Sequence, residues 1–140
     1  MSDATDKLPL TKSELREAGR AMRRRLVGEA YADKLDREVY KNRHMEKFAE
    51  VTQEWLFAQQ WNRPGLDLKT RSLITIISDT ATGSLDALRL HVRFGLNHGW
   101  SEDEIVESIM HCLGYIGVPL VRGALIAATQ VFDEVRAETA

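Results

Sequence analysis

The sequence predicts an all-α protein. Apolar residues recur at helical spacing along most of the chain, convincing strand alternation is absent, and polar capping residues with Gly and Pro breaks punctuate the pattern. Thr11 and Glu14 make a capping-box pattern ahead of Leu15, Ala18, Met22 and Leu26, and Gly28 closes that helix. A short, weakly patterned helix or turn is expected over residues 34–40. Met45, Phe48, Thr52, Trp55, Leu56 and Gln59 mark one amphipathic helix. Trp61 to Asp67 breaks it with a Pro-Gly turn, and Asp67 can cap the next helix. That segment, with Leu68, Leu73, Ile74, Ile76 and Ile77, is apolar on more than one side, as a central helix is. Its isoleucines also suit a strand. Gly83 ends it. Residues 84–98 form a helix striped by Leu85, Leu88, Val92 and Leu96. Ser101 and Glu104 open another helix, in which Ile105, Ile109, Leu113 and Ile116 share a face. Gly117-Val118-Pro119 precedes the last, striped by Val121, Ala124, Leu125, Ala128, Phe132 and Val135.

The chain has 140 residues, 44% hydrophobic and 29% charged, which fits one soluble domain. We expect a flexible segment over residues 1–10 and a single domain over 11–140. A net charge of -2 gives no basic field for nucleic acid. Arg23, Arg24 and Arg25 read as a solvated helix face rather than a phosphate patch. The single cysteine, Cys112, excludes an internal disulfide and a Cys-rich zinc site. No secretory leader and no membrane-spanning run is present, so a cytoplasmic protein is expected.

Ser84, Ala87, His91 and His98 share one side of their helix. A histidine there suits proton transfer, or it serves as a hydrogen-bonded structural group. His91 and His98 lie about 10.5 Å apart along the axis, too far to hold one metal. No metal and no cofactor is expected. Arg71, early in the apolar helix, either grips a substrate carboxylate by two hydrogen bonds or pairs internally with Asp67 or Asp79. Arg63 and Arg122, beside prolines, either serve an anionic pocket or lie at the surface.

The run from Trp61 through Ile76 resembles a signature stretch of the carboxymuconolactone decarboxylase family. The likeness continues through Leu90-His91, Asn97-His98-Gly99, Ser101 to Ile105 and Gly117-Val118-Pro119, with Ala18-Gly19-Arg20 and Arg23-Arg24 also similar. The resemblance implies the alkylhydroperoxidase D-like helical bundle, obligate self-association as trimers or hexamers, and a pocket near His91. The superfamily's Cys-x-x-Cys pair would fall on Ser84 and Ala87, so thiol peroxidase activity is not expected. Decarboxylases of this type carry a glutamate where this chain has Ala87, with Asp86 beside it. The implied function is cofactor-independent decarboxylation of a carboxylated butenolide in aromatic catabolism. Its partner would be a small anionic lactone or carbonyl acid, with no nucleic acid and no membrane. In it His91 transfers the proton, Arg71 anchors the substrate and Asp86 orients or tunes the histidine. Arg63, Ser84 and Arg122 contribute to substrate binding. The alternatives are another lyase, isomerase or hydratase on this fold, a non-catalytic small-acid-binding or assembly protein, and a redox protein using Cys112.

Overall fold

A computed structural model describes residues 10–140, and the flexible segment expected over residues 1–10 lies outside them but for Leu10. The described residues are helical, with no strand. The chain divides into two compact units, one ending at Arg63 and one beginning at Pro64.

The first unit holds α1 (Lys12–Val27), α2 (Glu29–Glu38) and α3 (Arg43–Thr52), which runs on into a π-helical stretch (Gln53–Gln60). Thr11 caps α1 by accepting from the Glu14 amide at 3.2 Å. Gly28, at φ 90, ends α1 and turns the chain directly into α2. The second helix therefore begins well before residue 34. Its acids explain why: Arg24 meets Glu29 at 2.5 Å and Asp33 at 2.8 Å, while Arg23 meets Asp36 at 2.8 Å. Asp33 first, and Glu29 next, hold the Arg24 guanidinium above its usual range. The arginine triplet is thus no simple solvated face. Arg23 is buried, and its guanidinium lies 4.8 Å from the centre of the Tyr40 ring.

Asn42 caps α3, accepting from the His44 and Met45 amides. The widening to π geometry puts Gln53, Phe57, Ala58 and Trp61 inside. Trp61 N–H bonds the Leu56 carbonyl at 3.0 Å, an i to i+5 link. Asn62 Nδ2 donates to the Ala58 carbonyl at 2.9 Å, satisfying an acceptor that the helix end leaves open. Gly19 lets α1 approach this stretch backbone to backbone: a Cβ there would stand 1.9 Å from the Gln53 carbonyl oxygen.

The second unit holds α4 (Leu68–Thr82), α5 (Leu85–Asn97), α6 (Glu102–His111), α7 (Leu113–Ile116) and α8 (Val118–Thr139). The isoleucine-rich segment is helix, opened by Asp67, which accepts from the Thr70 amide at 2.7 Å. Gly83, left-handed at φ 69, closes it and starts the turn into α5. Ser101 and Glu104 complete both bonds of a capping box on α6. The stripe from Ile105 to Ile116 is not one helix. At Cys112 the N–H bonds the Ile109 carbonyl, a tighter i to i+3 link, and the single turn of α7 comes next. Gly117, at φ 92, then admits α8, with proline in its first turn.

Ile76, Leu88, Val92, Ile105, Ile109, Val121, Val131 and Phe132 form the core, with Ala124, Ala127 and Ala128 letting neighbours approach α8. Full burial of each large side chain is worth about 1.5–3 kcal/mol. Arg93, 6% exposed, reaches from α5 to α8. It bonds both oxygens of Glu138, at 3.0 and 2.9 Å, and Glu134 at 3.1 Å.

Candidate active site

The α4–α5 hairpin brings two titratable side chains of the second unit together. Asp79 lies in the C-terminal half of α4, and His91 in the middle of α5. Asp79 Oδ2 stands 2.5 Å from His91 Nδ1, with side-chain exposures of 11% and 20%. An ionised carboxylate in that place can only accept, so it favours the tautomer with the hydrogen on Nδ1 and Nε2 left for other work. The Phe94 ring meets the imidazole edge-on, centroids 5.1 Å apart. Ala87, one turn earlier on α5, adds only a methyl to this face. A histidine paired in this way with a carboxylate is an arrangement suited to proton exchange at Nε2.

The other residues singled out by sequence are dispersed. Arg71 is half-buried two turns before Asp79 on α4, and its Nε donates to the Leu66 carbonyl at 3.2 Å. Asp86 is exposed in the first turn of α5, where a negative charge suits the helix dipole. The carboxylate bonded to the histidine is Asp79, from the neighbouring helix. Ser84 Oγ lies 2.8 Å from Thr82 Oγ1 in the exposed turn. Arg63 is exposed at the end of the first unit. Arg122 is exposed beside an open groove of about 470 Å³ whose walls, including Met110, Leu113, Val118, Leu125 and Ile126, are apolar rather than anion-seeking. His98 is engaged within its own helix, Nδ1 lying 3.0 Å from the Phe94 carbonyl.

Cys112 Sγ lies 3.6 Å from the Ser108 carbonyl. Among the described residues no three His, Cys, Asp or Glu side chains are placed to hold a metal, and no helix is long and apolar enough to cross a membrane. Sequence reasoning named Asp79 only as a possible partner of Arg71, and missed it as the partner of His91. Its one signal was an acid in a helix otherwise apolar on several sides.

The model of the carboxymuconolactone decarboxylase family matches residues 46–130. Over 104 residues the chain is 36% identical to 4-carboxymuconolactone decarboxylase of Acinetobacter baylyi, covering 69% of this chain and 78% of that one. Over 85 residues it is 35% identical to nitrosuccinic acid decarboxylase of Metarhizium robertsii, covering 61% of this chain and 59% of that one. It is also 38% identical over 104 residues to an uncharacterized 15.0 kDa protein of Paracoccus denitrificans, covering 69% and 77%.

Proposed function

The chain belongs to the carboxymuconolactone decarboxylase family, and we propose that it removes CO2 from a small carboxylated butenolide, with His91 delivering the proton that completes the reaction. Its relatives with enzyme names, at 36% and 35% identity, are both decarboxylases, which makes it a carboxy-lyase. The observation that carries the reading is the 2.5 Å bond between Asp79 and His91, which supplies a charge-stabilised acid–base group.

The chemistry is set by the substrate class. As the carbon–carboxylate bond breaks, its electron pair moves into the conjugated lactone and onto the carbonyl oxygen. CO2 departs, and the resulting enolate takes a proton at carbon from His91 Nε2. The imidazole then recovers a proton from solvent. The substrate carries its own electron sink, so the protein's part is to align the breaking bond with the π-system, stabilise the developing oxyanion and place the proton. Arg71 is assigned to holding a substrate carboxylate, a role a guanidinium performs with two parallel hydrogen bonds.

The relative named for nitrosuccinic acid favours a second reading. A nitro group accepts the electron pair as a lactone carbonyl does, so an acyclic nitro acid meets the same site with the same proton donor. Offering the protein both classes and following CO2 release separates the two. The His91→Ala variant tests either reading. Turnover should fall about 10²–10⁴-fold with the fold intact. A folded variant working at the parent rate would dismiss the proton-transfer role.

We also propose that copies of this chain associate, as trimers or hexamers. Support comes from large apolar side chains left open in the second unit: Ile74, Met110, Leu113, Val118 and Ile126 are all exposed, and Tyr115 is 80% exposed. Light scattering on purified protein gives the assembly mass, and a single-chain mass at micromolar concentration would end the proposal.

A further inference from the structure

Asp79 stands at an expensive address. It is 8% exposed, next in sequence to Thr80, which is fully buried and bonds the Ile76 carbonyl of its own helix at 2.9 Å. A carboxylate so placed is costly unless a charge and a hydrogen bond meet it. His91 meets it, twelve residues on and across the hairpin. Helix α5 brings no acid of its own to this face, since the residue one turn before His91 is Ala87 and Asp86 is exposed in the first turn. The buried arginine of α5, Arg93, is spent on Glu134 and Glu138 of α8. Among the described residues, the side-chain partner that meets the Asp79 carboxylate is the His91 imidazole.

We propose that Asp79 is the positioning residue of this enzyme. This rests on the decarboxylase reading of His91 and deepens it. Asp79 accepts the Nδ1 hydrogen, so the imidazole is held in the tautomer whose Nε2 faces the substrate. When Nε2 carries the proton to be delivered, the ring is an imidazolium, and the adjacent carboxylate stabilises that charge in a site largely shielded from water. The proton passes from Nε2 to the substrate carbon, the ring becomes neutral, and Nδ1–H stays on Asp79. In this step the carboxylate serves only as the acceptor of that bond. It acts through the histidine and touches no reacting atom.

The test joins kinetics to a spectroscopic signature. Asp79→Asn keeps the shape of the side chain but removes its charge and lets an amide N–H face Nδ1. Turnover should fall by about 10²–10³-fold or more while KM stays within about threefold, because the loss is felt in proton delivery rather than in substrate holding. Nitrogen NMR of ¹⁵N-histidine-labelled protein, without substrate, should place the neutral-ring hydrogen of His91 on Nδ1 in the parent and shift it toward Nε2 in the variant. A parent ring protonated on Nε2 would overturn the inference, as would a variant that keeps the parent's turnover and tautomer. Should the variant fail to fold, the parent spectrum still decides. The decarboxylase reading fails separately, by undiminished turnover in His91→Ala, since the tautomer is measured without substrate.

Discussion

Replacing Gly19 with alanine adds one methyl in the middle of α1, where alanine is the better helix former by about 1 kcal/mol. The structure predicts loss instead of gain. The new Cβ would lie 1.9 Å from the Gln53 carbonyl oxygen and 2.7 Å from its Cα. Carbon and oxygen tolerate approach to about 3.3 Å, so the shortfall is about 1.4 Å. The obstacle is backbone and cannot swing aside as a flexible side chain would. Helix α1 must back away from the π-helical stretch, loosening the packing of Met22, Leu26, Phe57 and Trp61, all buried. Overpacking costs about 1–3 kcal/mol and sometimes more, and this geometry belongs at the upper end. Set against the helix gain, the net cost is about 2 kcal/mol or more, equivalent to a fall of several degrees in Tm. Gly123→Ala is the matched control. Its Cβ would meet Leu85 at 3.5 Å, an ordinary contact, so its Tm should hold or rise. Circular-dichroism melts of the two variants beside the parent decide the matter. A Gly19→Ala protein as stable as the parent would refute the close-approach argument.

Arg71→Gln should weaken acidic substrates about tenfold or more while sparing neutral analogues; equal loss in both, measured by KM, would make Arg71 structural. Arg93→Ala should cost about 2 kcal/mol by urea denaturation, the half-exposed Glu134 and Glu138 regaining water once released. Cys112→Ser should leave CO2 release within about twofold of the parent, since the thiol meets the Ser108 carbonyl of α6 and the proposed reaction needs no sulfur. Bonds from Thr70 hold the Asp67 carboxyl below its usual range, and bonds from Ser101 do the same for Glu104. Each therefore stabilises the fold fully above the ordinary carboxyl range and loses that contribution as pH falls through its depressed value. Melts of Asp67→Asn across pH 2–6 should show a shallower acid-side decline than the parent; an identical slope would remove Asp67 from the account.

The parts of the fold legible in the sequence are those written locally. Asp67 and Ser101 cap helices because a short polar side chain reaches amides only two or three residues on, and Gly83 stops α4 because its backbone must turn left-handed. The boundaries that escaped depend on partners elsewhere. Glu29 starts α2 immediately after Gly28 because Arg24 awaits it on α1. Phe48 and Trp55, which the spacing places on the apolar stripe, are exposed, while Gln53, Phe57 and Trp61 are buried; the shift to π geometry at Gln53 is not written in that spacing. The break at Cys112 hid for the opposite reason: Leu113 and Ile116 continue the spacing of Ile105 and Ile109 although the hydrogen-bond ladder changes. At the site, periodicity singled out His91, but its carboxylate lies on another helix. Asp86 offers an acid beside Ala87, where the family resemblance implies a glutamate, but its direction differs by about 100° around the helix. Only the hairpin's alignment reveals Asp79 as the partner.

That hairpin is closed by two residues, Gly83 and Ser84, with the Ser84 amide bonded back to the Asp79 carbonyl at 2.9 Å. The chain thus measures off, like a ruler, the twelve positions separating acid from imidazole. Amino-acid changes nearby can retune the pocket while leaving this spacing alone. A residue inserted or deleted within α4 after Asp79, or within α5 before His91, would swing one partner about 100° around its axis and uncouple the pair. The pairing therefore tolerates replacement of neighbouring side chains better than a change of length inside either helical segment.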